Sequence, residues 1–451
     1  MSKIEVNTVA PQCGTTLTLG ESGDTVTLGS GASQSGFGRT GTVNWETSIK
    51  TSTFTAASGE GYFIDTNSGG FTVNLPAGSA GDIVAFKDYR NTFDTGGLIV
   101  APNGTDKIGG INANVTFSTE SQSVTLIFTD STRGWLDIHD STSAATGNAF
   151  IVATGGTITT SGNCKIHTFT GPGTFTVTAT AACAANNVMS HLVVAGGGGG
   201  STFGGGGAGG FREVKSPVTP YTASPLDGYP SAPNRITVSA QAYPITVGGG
   251  GAGGPGGTCG ASNGNPSIFS TITSTAGGGG NQDVPSHVAK PGGSGGGGQN
   301  PSASGGAGNT PPVSPPQGNN GGTGIGGTGC SAGGGGGGAT AAGTNASPGG
   351  PGTSGNGGAG ATTNITGSPV AYAGGGGGGG DNRSPGVAGG SGGTGGGGAG
   401  GAGTSTPGGT AGTTNRGGGG GGAGFGLPLS PTYACGATGG SGIVIIRYKF
   451  Q

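Results

Sequence analysis

Gly374-Gly-Gly-Gly-Gly-Gly-Gly380 is one of several glycine runs that fill the chain after Gly196. The whole chain contains 117 glycines among 451 residues, and only 8% of its residues are charged. An average soluble domain has about 7% glycine and about 25% charged residues. The glycine-rich part therefore decides the fold, and the residues before Gly196, which lack glycine runs, are expected to fold in a different way.

The glycine runs predict a packed bundle of polyproline II helices. Disordered chains usually stay soluble through charge, but this part has few acidic residues, and collagen would need a strict Gly-X-Y repeat that is absent. A polyproline II helix packed on several sides needs glycine in more than one of its three rows. Hydrogen bonds and Cα–H contacts between helices would offset the entropy lost on ordering glycine. A disordered linker is the alternative.

The chain before the glycine runs shows the two-residue alternation of β-strands. No stretch has a sustained 3.6-residue apolar period, so we expect almost no helix. Between Val43 and Ile138 the strand signals are regularly spaced, which predicts one antiparallel β-sandwich or prism. The predicted strands cover residues 51–56, 61–65, 71–75, 82–87, 98–101, 115–118, 123–129 and 135–138.

Shorter β-segments flank these two parts. Residues 15–19 and 25–28 alternate but cannot bury a core alone, and winding with copies around a threefold axis would give them a shared core. Residues 141–148 are small and polar, which indicates a linker. Residues 442–450 form the most apolar segment of the chain, and we expect this strand to pair with residues 191–195.

The predicted fold class is all-β plus a glycine-rich polyproline II helical bundle, with a β-rich fibrous stem and a β-sandwich domain. The predicted domains are an N-terminal stem (1–40), a trimerising β-sandwich or prism (41–145), a small β-domain (146–195), the glycine-rich bundle with intervening loops (196–440) and the C-terminal strand (441–451), which pairs back to residues 191–195.

Charge and cysteine content exclude several functional classes. The net charge is −2 and no basic stripe occurs, so nucleic acid is not an expected partner. No apolar run has the length of a signal peptide or of a membrane helix, and we expect synthesis and folding in a cytosol. The six cysteines lack a C-x-x-C pair, which leaves open free thiols or a disulfide such as Cys164 with Cys183. No metal or organic cofactor is implied.

Several segments carry a family resemblance. They are His167-Thr-Phe-Thr-Gly-Pro-Gly-Thr-Phe-Thr-Val177, Leu192-Val-Val-Ala-Gly-Gly-Gly-Gly-Gly200, Gly209-Gly-Phe-Arg-Glu213, Tyr243-Pro-Ile-Thr-Val-Gly248 and Gly440-Ser-Gly-Ile-Val-Ile-Ile-Arg-Tyr448. Together they resemble the glycine-rich domain of marine phage tail fibres, and residues 2–11 and 17–26 resemble the virion-proximal stems of such fibres. The glycine runs also resemble the distal adhesin of T-even-like phages. The resemblance implies a rigid glycine scaffold whose loops bind an outer-surface receptor, either a protein loop or a glycan.

The longest predicted loop, residues 211–246, combines flat aromatic rings with charges, which suits contact with a saccharide or a receptor loop. The alternative is a packed side lobe with solvated charges. Other single residues beside glycine runs either cap the bundle or join the contact surface. The candidate receptor-binding residues are Arg212, Lys215, Tyr221, Asp227, Tyr229, Arg235, Phe269, His287, Tyr372, Arg383, Arg416, Phe425 and Tyr433.

These observations predict a phage tail fibre that binds the host receptor and is not an enzyme. We expect an elongated homotrimer in the virion, joined to other tail proteins through residues 1–40, although a monomeric tip on another fibre protein is an alternative. A capsule-degrading tailspike would need two carboxylates at a fixed separation, and only four acids follow Gly196. The sequence is also compatible with a purely structural virion fibre or with an ice-binding protein, although its varied loops count against ice binding.

Overall fold

The computed structural model describes residues 43–138, 150–255, 260–281, 288–299, 303–326, 331–347, 352–381, 387–402, 408–425 and 434–451. Over these residues the chain is all-β, and its helical segments are two 3-10 turns, Ala184–Asn187 and Ala232–Asn234. The expected near-absence of helix is confirmed. In this described part no helix is long and apolar enough to cross a bilayer. The predicted stem, residues 1–40, and the predicted linker, residues 141–148, lie outside it.

Residues 44–137 form two sheets that share one hydrophobic core. The strands are β1 Asn44–Lys50, β2 Phe54–Thr55, β3 Glu60–Ile64, β4 Phe71–Asn74, β5 Ile83–Asp88, β6 Leu98–Ala101, β7 Val115–Phe117, β8 Ser123–Asp130 and β9 Gly134–Asp137. One sheet has the order β1-β3-β5-β8-β9, and the other has the order β2-β4-β6-β7. Phe86 and Trp135 of the first sheet pack in one buried cluster with Leu98 and Val100 of the second.

The expectation that this sandwich is antiparallel is wrong for most of its strand pairs. β1 pairs parallel with β3, and β3 with β5. In the other sheet β2 pairs parallel with β4, and β4 with β6. The chain reaches each parallel neighbour by crossing through the opposite sheet, and β7, β8 and β9 are then added antiparallel. Two-residue alternation records which side chains face a core, and it carries no information on the direction of the neighbouring strand.

Two further five-stranded sheets and one hairpin accompany the glycine-rich part. Their strands are β10 Val152–Thr154, β11 Thr157–Ser161, β12 Cys164–Phe169, β13 Gly173–Ala179, β14 Ser190–Val194, β15 Phe211–Val214, β16 Ala242–Thr246, β17 Ser267–Phe269, β18 Ile272–Ser274, β19 Ala361–Thr363, β20 Val370–Tyr372 and β21 Ile443–Lys449. The sheet orders are β10-β13-β16-β17-β18 and β11-β12-β21-β14-β15, and β19 pairs with β20. Cys164 is buried in β12 and Cys183 is exposed, and both are free thiols.

The C-terminal strand β21 is the central strand of its sheet. It pairs antiparallel with β14 on one side and with β12 on the other, and the pairing with β14 is the one expected from the sequence. Val444 and Tyr448 pack against the aromatic core between the two sheets. Ile443 and Ile445 pack on the opposite face, against Phe211 and its neighbours. Burial on both faces explains why this segment is so apolar.

The glycine-rich part is a bundle of extended segments that repeats every three residues. A β-carbon added to Gly196 would lie 2.1 Å from the carbonyl oxygen of Gly249. Three residues later, a β-carbon added to Gly199 would lie 2.1 Å from the carbonyl oxygen of Ala252. The residues between them face other segments. Three residues per turn is the repeat of the polyproline II helix, and the predicted bundle is confirmed.

Interior helices of the bundle touch neighbours on every side. The N–H of Gly206 donates to the carbonyl of Gly420 at 2.8 Å, and its own carbonyl accepts from Gly376 at 2.9 Å. A β-carbon at Gly206 would lie 2.1 Å from the carbonyl oxygen of Gly198, well below the minimum contact distance of about 3.0 Å for a β-carbon. Backbone hydrogen bonding and steric exclusion therefore both require glycine here.

At the rim of the bundle, side chains take the place of missing backbone partners. The Asn356 side-chain oxygen accepts a hydrogen bond from the N–H of Ser391 at 2.8 Å. The Thr344 hydroxyl accepts from the N–H of Asn356, and the Thr410 hydroxyl accepts from the N–H of Ala399, both at 2.6 Å. These exposed bonds join neighbouring helices, so Asn and Thr satisfy backbone donors that an interior helix would direct at another backbone.

Candidate receptor-binding surface

The bundle has two ends, one beside the β-sheets and one on the opposite side. Gly196 follows β14 closely, and we call this side the sheet end. At the opposite side, the far end, the chain turns at Thr202, which bridges Ala423. Asp381 and Phe425 bridge each other at the same end.

The structure does not bring the candidate residues together on one surface. Phe425 lies at the far end, whereas the other candidates in the described part of the chain lie at the sheet end, on or beside β15 to β20. His287, Arg383 and Tyr433 lie outside the described residues.

Two aromatic candidates are core residues, which corrects their assignment as contact residues. Phe269 is fully buried, and its ring lies 6.2 Å from that of Phe175 and 6.1 Å from that of Tyr243. Tyr372 is 3% exposed, and the Arg416 guanidinium lies 5.2 Å from its ring centroid. Arg416 also donates to the Ala371 carbonyl at 2.7 Å. Glycine-rich surroundings suggested exposure, but these rings fill the spaces where strands meet the bundle.

The prediction that residues 211–246 form one loop is also wrong. Phe211–Val214 is the edge strand β15, and Ala242–Thr246 is the inner strand β16. Phe211 and Tyr243 belong to two different buried clusters. Only the chain between these strands forms a packed side lobe, the second of the two arrangements that the sequence left open for this region.

Two charged candidates, Arg212 and Asp227, hold the side lobe together. Arg212 donates to the Asn234 side-chain oxygen at 2.7 Å. The Asp227 carboxylate accepts hydrogen bonds from the backbone N–H groups of Lys215 and Tyr229, both at 3.0 Å. These groups fix backbone turns, as Asp does in many loops. Their hydrogen-bonding atoms are used within the side lobe and are therefore less available to a receptor.

Tyr221 joins the side lobe to the central strand. The Arg447 guanidinium lies 5.3 Å from the ring centroid of Tyr221 and donates to the carbonyls of Pro220 and Ile365, each at 3.0 Å. The Lys215 ammonium lies 6.0 Å from the same ring. Burial raises the pKa of the Tyr221 hydroxyl, and the nearby Glu213 carboxylate adds to the shift.

Tyr229 and Arg235 form the candidate pair that remains accessible. The Arg235 guanidinium lies 4.3 Å from the Tyr229 ring centroid. Its Nε donates to the Tyr229 carbonyl at 2.7 Å, which holds the two groups in contact. Arg235 is exposed and Tyr229 is half-buried. An ordered aromatic ring with a stacked cation offers a flat surface at a low entropic cost.

Sequence reasoning missed two buried titratable residues beside these candidates. Glu213 is 2% exposed and accepts hydrogen bonds from the N–H of Ser224 at 2.9 Å and from the Thr363 hydroxyl, and burial raises the pKa of its carboxyl group. His191 is 1% exposed, and neither ring nitrogen has a hydrogen-bond partner among the described residues. His191 lies in a predicted strand, where alternation does not distinguish a buried polar group from an exposed one, and Glu213 lies in the segment 211–246 that the sequence predicts to be a loop.

Comparison with known proteins gives one family match. The family described as a glycine-rich domain matches residues 168–449. No curated protein matches the chain. The matched region begins in β12 and ends at the last residue of β21, so it includes the bundle and the strands that close it. This protein belongs to the glycine-rich domain family.

Proposed function

We propose that this protein is the receptor-binding tail fibre of a bacteriophage, which attaches the virion to its bacterial host by binding and without catalysis. The family match supports the glycine-rich domain on which the proposal builds. The assignment to a phage tail fibre draws on the sequence resemblance, which includes both ends of the chain. Binding residues are commonly carried by loops on a rigid scaffold, and the hydrogen-bonded bundle is such a scaffold.

The stacked pair of half-buried Tyr229 and exposed Arg235 is the observation that carries the proposal. Most polar side chains of the side lobe are bonded within it, but this ring and guanidinium are ordered against each other and accessible. Aromatic and Arg side chains are enriched at binding hot spots. The pair suits the ring face of a sugar or an aromatic or acidic receptor loop.

Threefold display would strengthen a weak contact of this size. We propose a homotrimer that is anchored to other virion proteins through residues 1–40. Three linked sites can raise overall affinity by 10² to 10⁴ when all can engage at once.

The test is binding of the labelled full-length protein to a panel of bacterial strains. Deleting the whole side lobe by replacing residues 211–246 with a linker is not a suitable test. It would also remove β15 and β16 and expose two cores, so the test uses a smaller change. The variant Tyr229→Ala/Arg235→Ala removes the stacked pair. Lys290→Ala removes an exposed cation elsewhere on the bundle and is the matched control.

We expect saturable binding to at least one strain, with a dissociation constant at least tenfold weaker for the double variant and unchanged for Lys290→Ala. Equal binding by all three proteins would remove the pair from the contact surface. Absence of binding to a panel that includes a host of the phage would contradict the receptor-binding function itself. Release of oligosaccharide from bound cells would favour the tailspike alternative.

A further inference from the structure

The outer face of the sheet β1-β3-β5-β8-β9 is apolar although it points away from the core. In β5, Val84 and Phe86 belong to the core cluster, so Ile83 and Ala85 face the other side, where they are already buried in the single chain at 5% and 1% exposed. The register places Ile83 beside Ile127 of β8. Ile127 in turn lies beside Leu136 of β9, and none of these outward residues joins a hydrophobic cluster of the described chain.

Large exposed side chains complete this face at both of its edges. At the β1 edge, Trp45 is 40% exposed, and its ring centroid lies 5.0 Å from that of Phe63. At the β9 edge, Ile138 is 46% exposed. Gly61 allows the Trp45 indole to lie flat on the sheet, because a β-carbon there would come within 2.8 Å of the ring. We call this surface the outer face.

The outer face has almost no charge. Its outward positions in β1, β3, β5, β8 and β9 carry Trp, Thr, Ile, Phe, Gly, Ala, Ser and Leu, and the one charged group among them, Lys87, lies at an end and donates to the Ser121 carbonyl. Glu46 and Lys50 of β1 form an ion pair with each other at 3.1 Å, and Glu46 is aligned with Tyr62 on the opposite face. Two copies of this surface could meet without burying an unpaired charge.

We propose that the outer face is covered by a second copy of this chain, and that the sandwich of residues 44–137 is the unit through which copies assemble. Uncharged apolar faces with an aromatic residue resemble the interfaces of homo-oligomers, which are more apolar than other surfaces. Val43 lies against Gly61 on this face, so the residues before it, for which the sequence predicts winding with copies of the chain around a threefold axis, join the sandwich beside this surface. The inference specifies the interface of the assembly proposed above and does not depend on host binding.

Tryptophan fluorescence tests the inference on the unmodified protein. The chain has two tryptophans, of which Trp135 is fully buried and Trp45 is 40% exposed in the single chain. We expect both to resist acrylamide quenching at micromolar concentration, and the Trp45 fraction to become quenchable on dilution as copies separate. Quenching of one tryptophan at every concentration would overturn the proposal. The proposal would also be overturned if both tryptophans stayed protected at every dilution in a protein that has the mass of one chain.

The mass in solution provides the second measurement. One chain has a mass of 41.9 kDa, and we expect two or more chains per particle by light scattering. Trp45→Glu/Ile138→Glu places charges on both edges of the outer face and should yield single chains with an unchanged circular dichroism spectrum. Tyr89→Glu alters a side chain that is 48% exposed and lies outside these strands, and should leave the mass unchanged. Wild-type protein at 41.9 kDa, or a charged variant that remains assembled, would refute the interface.

Discussion

His191 is a base that the fold keeps neutral. Its imidazole lies in the core between the sheets, 5.9 Å from the ring of Phe269. Burial, with a smaller contribution from the Arg212 charge, lowers its pKa from 6.5 to about 3. Burial also lowers the pKa of His167, whose ring bonds to the Gly155 carbonyl at 2.7 Å and to the Tyr448 hydroxyl at 3.1 Å.

The depressed pKa of His191 predicts acid-sensitive folding. Between pH 6.5 and about 3 the unfolded chain binds a proton at His191 that the folded chain does not. The free energy of unfolding should therefore fall with decreasing pH in this window, by up to about 1.4 kcal/mol per pH unit for this group. Urea unfolding at pH 7 and pH 5 should show a smaller loss for His191→Leu than for the wild type. Equal losses would mean that His191 does not contribute.

Interior glycines should tolerate no side chain. At Gly336 a β-carbon would lie 1.9 Å from the carbonyl oxygen of Gly206, whereas at Gly408 nothing lies within 4 Å. We expect Gly336→Ala to lower the free energy of unfolding by about 1 to 3 kcal/mol or more, the usual cost of overpacking. Gly408→Ala should change it by less than about 1 kcal/mol. Thermal unfolding of the two variants makes the comparison, and similar melting temperatures would argue against close packing.

At the scale of elements, Asn and Thr at the rim of the bundle are predicted to act as structural side chains. Asn356→Ala removes the acceptor for the N–H of Ser391 and should destabilise the protein by about 1 kcal/mol. Ser391→Ala keeps that N–H and changes only an exposed side chain, so it is the control and should have an effect below about 0.5 kcal/mol. Chemical denaturation measures both. An equal effect of the two substitutions would show that the bond contributes nothing.

The sequence predicted the positions of elements better than their connections. Alternation located β3 to β9 and β12 to β14 within a few residues, and the pairing of the apolar segment 442–450 with residues 191–195 was expected and is observed. The parallel pairs of β1 to β6 were not predicted, since period-two patterns are the same for both directions. The edge strand β1 was missed because its side chains are mostly exposed.

The candidate residues show where sequence reasoning about a site fails. Ring and charge chemistry identified Tyr229 and Arg235, which the structure places in contact. The same reasoning selected Phe269 and Tyr372, which are buried. A glycine run does not reveal whether the residue beside it points into the bundle or away from it, because that depends on segments distant in sequence, such as β17 against β16.

At the scale of the whole molecule, the glycine-rich part acts as a scaffold only if it is held by its own hydrogen bonds. Its interior helices are bonded to segments from widely separated parts of the chain, as Gly206 is to Gly376 and Gly420. Each helix therefore depends on several others, and the bundle should open cooperatively rather than one segment at a time.

Amide hydrogen exchange of the full-length protein tests this account most directly. Peptides that cover residues 196–210 and 374–380 should retain protection for hours, with the interior glycines exchanging only through large-scale opening. A disordered glycine linker would exchange these amides within seconds at neutral pH, as fast as an unstructured peptide. Slow exchange would establish the rigid scaffold on which the receptor-binding proposal rests, and rapid exchange throughout both peptides would contradict it.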